Sequence, residues 1–270
     1  MWDDFVLART MIDVAFFGSH PLGEACLERL HAHEAVSVPV VVTYPEDEEH
    51  WWDGSVNRLA HDLGHDVLPI AEERDVLDYE FDYLLSVYYP NILGPELLEH
   101  PDEAAINLHQ AELPRYRGSN VFSHSILNAR EDDHWKHGTT MHFMAEQVDA
   151  GDIIARRFAE ITETDTSRTL YEKVRERSIE LFEEMLPKLV SGEVLEMGTP
   201  QSEYDGERYF YAKDSLDGAK EIPLDELVDG DENAIYDRIR ALDFPPFEPA
   251  HTRLDGEKVY LTKTSYGSPS

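Results

Sequence analysis

Cysteine is nearly missing from this chain: Cys26 is the only one in 270 residues, which excludes an intrachain disulfide and any zinc site built from several thiolates. Long apolar runs are missing as well, because no stretch approaches the roughly eighteen apolar residues of a membrane span. Positive charge is scarce, with 23 Lys+Arg against 56 Asp+Glu and a formal net charge of −33. All seven lysines lie at or beyond Lys136, so the first 135 residues contain none. Nucleic-acid binding depends on Lys and Arg clusters, so this balance disfavours a nucleic-acid partner. The start, Met1 to Met11, carries Asp3 and Asp4 and has no basic segment leading into an apolar one. It does not read as a signal peptide, and the chain is expected to be cytoplasmic.

Hydrophobic residues make up 41% of the chain and aromatic residues 10%, spread along its length, so the composition is that of a globular protein despite its charge. The length suits one large α/β domain plus a small second one. The acids are dispersed over every segment rather than gathered in a tail. They therefore read as a hydrated carboxylate surface suited to high salt, a halophilic trait, with an acidic functional surface as the alternative.

Ile12 to Phe17 is an apolar run ending in Gly18-Ser19, followed by Leu22, Cys26, Leu27 and Leu30 at helical spacing. Strand, loop and helix open the chain, with Cys26 on the buried helix face rather than acting as a nucleophile. Val36 to Thr43 reads as a second strand whose ordered pairing begins at Val40, after Pro39. Ser55 to Leu63 reads as a helix, and Val67 to Ile70, Tyr83 to Tyr89 and Ala105 to His109 as three further strands. Apolar strands alternating with helices predict a Rossmann-like α/β fold, its mostly parallel sheet covered by helices on both faces, with ligands at the carboxyl ends of the strands. The loop Gly18-Ser19-His20-Pro21-Leu22-Gly23 lacks the G-x-G-x-x-G spacing and the lysine of a phosphate loop, which argues against a dinucleotide site.

Thr166 to Leu189 predicts a long helix closed by Gly192. That glycine sets the expected boundary between a catalytic domain, 1–192, and a small C-terminal α+β or β module, 193–270. The module holds Tyr204, Tyr209, Phe210 and Tyr211, a helix near Glu232 to Leu242, the turn Phe244-Pro245-Pro246-Phe247 and a strand from Lys258 to Thr262.

In Ala105-Ile106-Asn107-Leu108-His109 strand alternation sends Asn107 and His109 to one side, near the carboxyl end of the strand. Alone, an Asn-x-His pair among 13 histidines says little. It is followed, however, by Leu113-Pro114-Arg115-Tyr116-Arg117-Gly118, by Gly138-Thr139-Thr140-Met141-His142-Phe143-Met144 and by Asp149-Ala150-Gly151-Asp152-Ile153. This ordered series, N-x-H, L-P-x-Y-R-G, G-x-T-x-H-x-M and D-x-G-D-I, resembles the folate-dependent formyltransferase family over roughly residues 12 to 190.

The resemblance implies that Asn107, His109 and Asp149 are catalytic and that 10-formyltetrahydrofolate is the co-substrate. Elementary chemistry agrees. An amine attacking a formyl carbon creates an oxyanion, which an Asn107 N–H can stabilise by roughly 3 kcal/mol. The His109 imidazole can shuttle the proton toward the departing folate nitrogen, and Asp149 can hold and charge that imidazole. The competing reading of Asp-Ala-Gly-Asp as a mere turn is the one adopted for Asp152.

By the same resemblance the folate pterin lies against Tyr88, Tyr89, Asn91, Ile92 and Leu93 and against Ala145, Glu146 and Val148, with Leu113 and Pro114 adding to the wall. Tyr88 and Tyr89 read equally well as core aromatics. Candidate acceptor contacts are Gly18, Ser19, Arg115, Arg117, Tyr209, Tyr211 and Phe244; the arginines could instead pair with carboxylates and the aromatics form a small core. Gln110-Ala111 replaces the family's common Pro-Ser, 129–137 is longer than its usual turn, and Ser119-Asn120 departs from its common version. His134, His137 and His142 lack a convincing ligand set, so no metal is expected.

The short, acidic C-terminal segment disfavours tRNA, the acceptor of methionyl-tRNA formyltransferases. Its Tyr-rich stretch instead looks like the small domains of sugar N-formyltransferases. The expected acceptor is the amine of a nucleotide-linked amino sugar, a small molecule, with methionyl-tRNA as runner-up. A folate- or nucleotide-binding module without turnover is the alternative of another class. A homodimer is compatible with the sequence.

Overall fold

The computed structural model describes residues 11–264; the reading of Met1 to Met11 lies, Met11 apart, outside the described residues. The chain opens with β1 (Ile12–Gly18) and α1 (His20–Ala32). Leu22, Cys26, Leu27 and Leu30 of α1 are fully buried. Burial drives the Cys26 thiol far above its ordinary range, so it has no nucleophilic thiolate. After α1 come β2 (Val36–Ser37), β3 (Val40–Thr43), α2 (Val56–Leu63) and β4 (Asp66–Pro69).

Pro39 interrupts pairing without delaying it. Val36 already pairs with Ile12, and pairing with β1 resumes at Val41 opposite Phe16; the expectation that it begins only at Val40 is corrected. The Ser55 hydroxyl caps α2 by accepting from the Arg58 amide at 3.3 Å, and Gly64 closes the helix at φ +82°. A 3-10 stretch, Ile70–Asp78, leads to β5 (Tyr83–Val87), α3 (Pro95–Leu98) and β6 (Ala104–His109). The strand expected through Tyr89 stops two residues early because Tyr88 turns the backbone to φ +53°.

The order β4-β3-β1-β5-β6 is parallel at every recorded pairing, as a Rossmann-like sheet requires. Ala15, Phe17, Val40, Val42 and Leu84 pack with Val76 and Leu97 on one face. The alternate residues Val14 and Phe16, pointing to the other face, are also fully buried. The chain passes from β4 back across β1 to β5, so the sheet's topological switch lies between β1 and β5, and the loops after β1, β3 and β5 meet there.

Beyond β6 the chain forms β7 (Tyr116–Gly118), α4 (Val121–Ala129), β8 (Lys136–Phe143), β9 (Ile153–Glu160) and α5 (Ser167–Ser191), with β8 and β9 extending the main sheet. Gly192 ends α5 at φ +75°. Then follow β10 (Tyr209–Tyr211), α6 (Leu224–Asp229), α7 (Glu232–Ala241) and the hairpin β11 (Ala250–Leu254) and β12 (Glu257–Leu261). β10 pairs in parallel with β7, and Ile222, Ile235, Leu242 and Ala250 form a small core of their own.

Spatially the described chain forms two compact units. One comprises 11–109, 141–154 and 179–199; the other comprises 110–140, 155–178 and 200–264. Gly192 lies inside the first. Among the described residues no helix is long and apolar enough to cross a membrane.

Candidate active site

Along β6 Ile106 and Leu108 are buried while Asn107 and His109 are half-buried, so alternation sends the amide and the imidazole to the same, more open side. The neighbouring segment is pinned to β6 by the Met144 amide, which donates to the Ala105 carbonyl at 2.8 Å. This brings His142 beside the pair, with its Nε2 3.2 Å from Asn107 Nδ2. The His142 and His109 rings stand edge to face, their centres 6.3 Å apart.

Asp149 arrives from the turn between β8 and β9. The Phe143 amide donates to the Asp152 carbonyl at 3.0 Å, closing the turn. Gly151 passes so near the Phe143 carbonyl that a Cβ there would lie 1.9 Å from its oxygen, so no side chain fits. Asp149 itself takes φ +53°, an unfavourable conformation for a residue with a Cβ and one that recurs at functional sites. The turn reading of Asp-Ala-Gly-Asp is thus correct about the backbone, and the turn aims the carboxylate. Asp149 Oδ2 is 3.6 Å from His109 Nε2 and Oδ1 is 3.9 Å from His142 Nε2. Both distances lie just beyond direct hydrogen-bond reach, and catalytic contacts of this kind are commonly long until the reacting complex forms. Asp152 is exposed.

Asn107, His109 and Asp149 therefore converge, and a fourth group, His142, joins them. The signal for His142 was in the sequence: G-x-T-x-H-x-M places a histidine in a strand, and only the pairing with β6 shows which residue it meets. Burial, then the neighbouring His109, push its pKa down to about 4, so His142 is neutral at ordinary pH.

At the switch crevice the Ser19 hydroxyl donates to the Tyr88 carbonyl at 2.5 Å. The Tyr88 ring stacks on buried His20 at 4.0 Å, and Trp51 and Trp52, from the loop after β3, pack against the same imidazole at 5.2 and 5.1 Å. These tryptophans carried no periodic signal and escaped the sequence reading. Tyr89 packs edge-on against Phe17, and its hydroxyl and the Asn91 amide both donate to Glu73, at 2.6 and 2.8 Å. Leu93 is in the core and Ile92 is exposed, as are Ala145 and Glu146, while Val148 is half-buried. A cleft of about 430 Å³ opens beside Asn91, bordered by Tyr44, Glu48, Glu73 and Arg74.

The remaining candidates belong to the second unit. Leu113, followed by Pro114, is buried, its amide held by Thr140 Oγ1 and its carbonyl by Arg156. Arg115 pairs with Asp132 at 2.6 Å, and the Tyr209 hydroxyl donates to the same carboxylate at 2.9 Å. Arg117 is half-buried in β7. Tyr211 stacks on His124 at 3.4 Å and its hydroxyl accepts from Asn128. Phe244 packs against Tyr171 and Phe247. Gln110 is buried. His134 meets Glu112 at 2.7 Å and His137 meets the Gln110 carbonyl, so the three histidines of the doubted metal set serve separate partners. Among the described residues no group of three or more ligating side chains is placed to hold a metal.

A family model described as formyl transferase matches residues 68–186, the span holding β5, β6, His142 and Asp149. The methionyl-tRNA formyltransferase of Bacillus licheniformis is 32% identical over 197 residues, which are 72% of this chain and 57% of that protein. The chain thus spans less than two thirds of that curated relative. Among solved structures, a 4-N formyltransferase from Francisella tularensis superposes with a TM-score of 0.75 at 19% identity, covering 94% of this chain and 97% of that one. The N-formyltransferase from Helicobacter canadensis, in complex with folinic acid and dTDP-3-aminofucose, gives a TM-score of 0.71 at 18% identity, covering 93% and 87%. The ordered motifs, the convergent Asn107, His109 and Asp149, and these likenesses lead to one conclusion: the chain belongs to the formyl transferase family.

Proposed function

We propose that this protein transfers the formyl group of 10-formyltetrahydrofolate to the amine of a nucleotide-linked amino sugar. The observation that carries the proposal is the convergence of Asn107, His109 and Asp149 at the end of β6. The amine nitrogen attacks the formyl carbon, forming a C–N bond and an oxyanion, to which Asn107 donates. As the bond from the formyl carbon to N10 breaks, His109 takes the proton from the new ammonium and delivers it to N10, and Asp149 steadies the imidazolium in between. The folate is bound from outside; Tyr88, Asn91 and the 145–148 backbone are the groups proposed to hold the pterin. Tyr89 and Leu93 support that wall from the core.

For Arg115, Tyr209, Tyr211 and Phe244 the partners named above already explain the residue type, so the proposed acceptor contacts narrow to Gly18, Ser19 and Arg117. We keep the division into a catalytic domain, 1–192, and an appended module, 193–270, as part of this reading, along with a cytoplasmic location.

Two observations favour a sugar nucleotide over tRNA. A sugar N-formyltransferase from Shewanella superposes on this chain with a TM-score of 0.73, against 0.57 for the methionyl-tRNA formyltransferase from Clostridium thermocellum, although each covers 96% of it. Moreover, the loop after β3 carries Glu46, Asp47, Glu48, Glu49 and Asp53 and no Lys or Arg, and the nearby Arg58 and Arg74 are paired with Glu46 and Glu96. Each phosphate brought near such a loop is repelled, and tRNA brings many where a sugar nucleotide brings two. Incubation with 10-formyltetrahydrofolate and panels of nucleotide amino sugars or methionyl-tRNA, read by product mass, tests the proposal. Formylated sugar nucleotide is the expected result; formylated methionyl-tRNA alone moves the function to the runner-up, and no product with any acceptor leaves a binding module.

The dispersed acidity we read as adaptation to high salt. Raising NaCl from about 0.1 M to about 1 M shortens the Debye length from about 10 Å to about 3 Å. Self-repulsion at a net charge of −33 then weakens, and the melting temperature is expected to rise. A flat or falling melting temperature over that range removes the reading.

A further inference from the structure

We propose that His142 is a positioning residue: it fixes the orientation of the Asn107 amide, so that the amide's second N–H remains available to the developing oxyanion. The inference rests on the formyl-transfer role proposed for Asn107 and adds a residue to it.

A chain of donors and acceptors carries the argument. Gly151, where a Cβ would lie 1.9 Å from the Phe143 oxygen, and the Met144 amide, which shares a peptide group with the Phe143 carbonyl and donates to Ala105 at 2.8 Å, together fix the peptide that follows Phe143. Its carbonyl lies 2.8 Å from His142 Nδ1. A carbonyl only accepts, so Nδ1 carries the hydrogen. The neutral ring then has a bare Nε2, an acceptor, and the atom 3.2 Å away is the side-chain nitrogen of Asn107. The amide must place its NH₂ there, because its oxygen would set two lone pairs against each other. One N–H is consumed by His142, and the other is left for the substrate. Burial supports the arrangement: the His142 side chain is 2% exposed, and its depressed pKa keeps Nε2 unprotonated. A proton on Nε2 would face the NH₂ and turn the amide over, presenting an oxygen where a donor is needed.

The first test is direct. In a ¹⁵N spectrum of histidine-labelled protein at neutral pH, His142 should show the Nδ1–H tautomer, the minor one in free imidazoles. An Nε2–H tautomer overturns the proposal.

The second test is a double-mutant cycle with Asn107→Ala. His142→Leu, which keeps bulk and removes the acceptor, should lower kcat by about tenfold with the KM for folate nearly unchanged, against about 10²–10³ for loss of one oxyanion donor. His142→Gln, whose carbonyl oxygen can accept, should recover much of that loss. In the Asn107→Ala background, with no amide left to orient, His142→Leu should cost nothing further. An equal loss in both backgrounds makes His142 merely structural. Should His142→Leu fail to fold, the same cycle with His142→Phe, which also lacks the acceptor, reads the coupling. If Asn107→Ala alone keeps full activity, what fails is the donor role of Asn107, an outcome distinct from a failed cycle.

Discussion

Replacing His109 by alanine is expected to lower formyl transfer by about 10²–10⁴-fold, the range for loss of a positioned proton-transfer group, while folinic acid binds with nearly unchanged affinity. The imidazole sits 3.6 Å from Asp149 Oδ2 with 17% of its side chain exposed, on the more open side of β6 and apart from the residues proposed to hold the pterin. The loss should appear in kcat at saturating folate. Asp149→Asn keeps the shape of the turn and removes the charge, so it should reproduce a large part of the same loss. Stopped activity with intact binding is the signature of a proton shuttle; near-normal turnover in His109→Ala removes the imidazole from the mechanism, and a parallel loss of folinic acid binding assigns it to folate recognition.

Much of this site was legible in the sequence because its parts obey local rules. Period-two alternation in β6 suffices to put Asn107 and His109 on one side, and the steric demand at Gly151 makes D-x-G-D readable as a tight turn. The parallel sheet follows from apolar runs such as Ile12 to Phe17. What escaped depends on contacts between distant segments. His142 meets Asn107 across 35 positions, and nothing local to either predicts the pairing. Trp51 and Trp52 lie in a loop without periodicity and acquire meaning only when folded over His20. Arg115 could have served a substrate or a carboxylate; its Asp132 partner settles the present geometry. The early end of β5 at Tyr88 reflects a positive φ that no tyrosine advertises.

The largest stability effect is expected in the second unit, at Asp237. Its carboxylate accepts from Arg240 Nε at 2.9 Å and from Arg130 Nε at 2.8 Å. The Arg240 side chain is fully buried and also donates to the Thr162 and Asp165 carbonyls, at 3.0 and 3.1 Å. Both guanidinium groups lie within 6 Å of the Trp135 ring centre, at 5.2 and 5.9 Å. Asp237→Ala would leave the buried Arg240 charge without its counter-ion, and breaking such a pair from one side costs about 3–5 kcal/mol. Urea denaturation should show the midpoint falling with little change in slope. The pair itself need not stabilise the fold. Removing both charges, as in Asp237→Leu with Arg240→Met, should cost far less than the single change, since the desolvation penalty disappears with the ions. The difference between the single and double variants isolates the stranded charge, and a loss below about 1 kcal/mol for Asp237→Ala would show that water reaches Arg240 when its partner is gone.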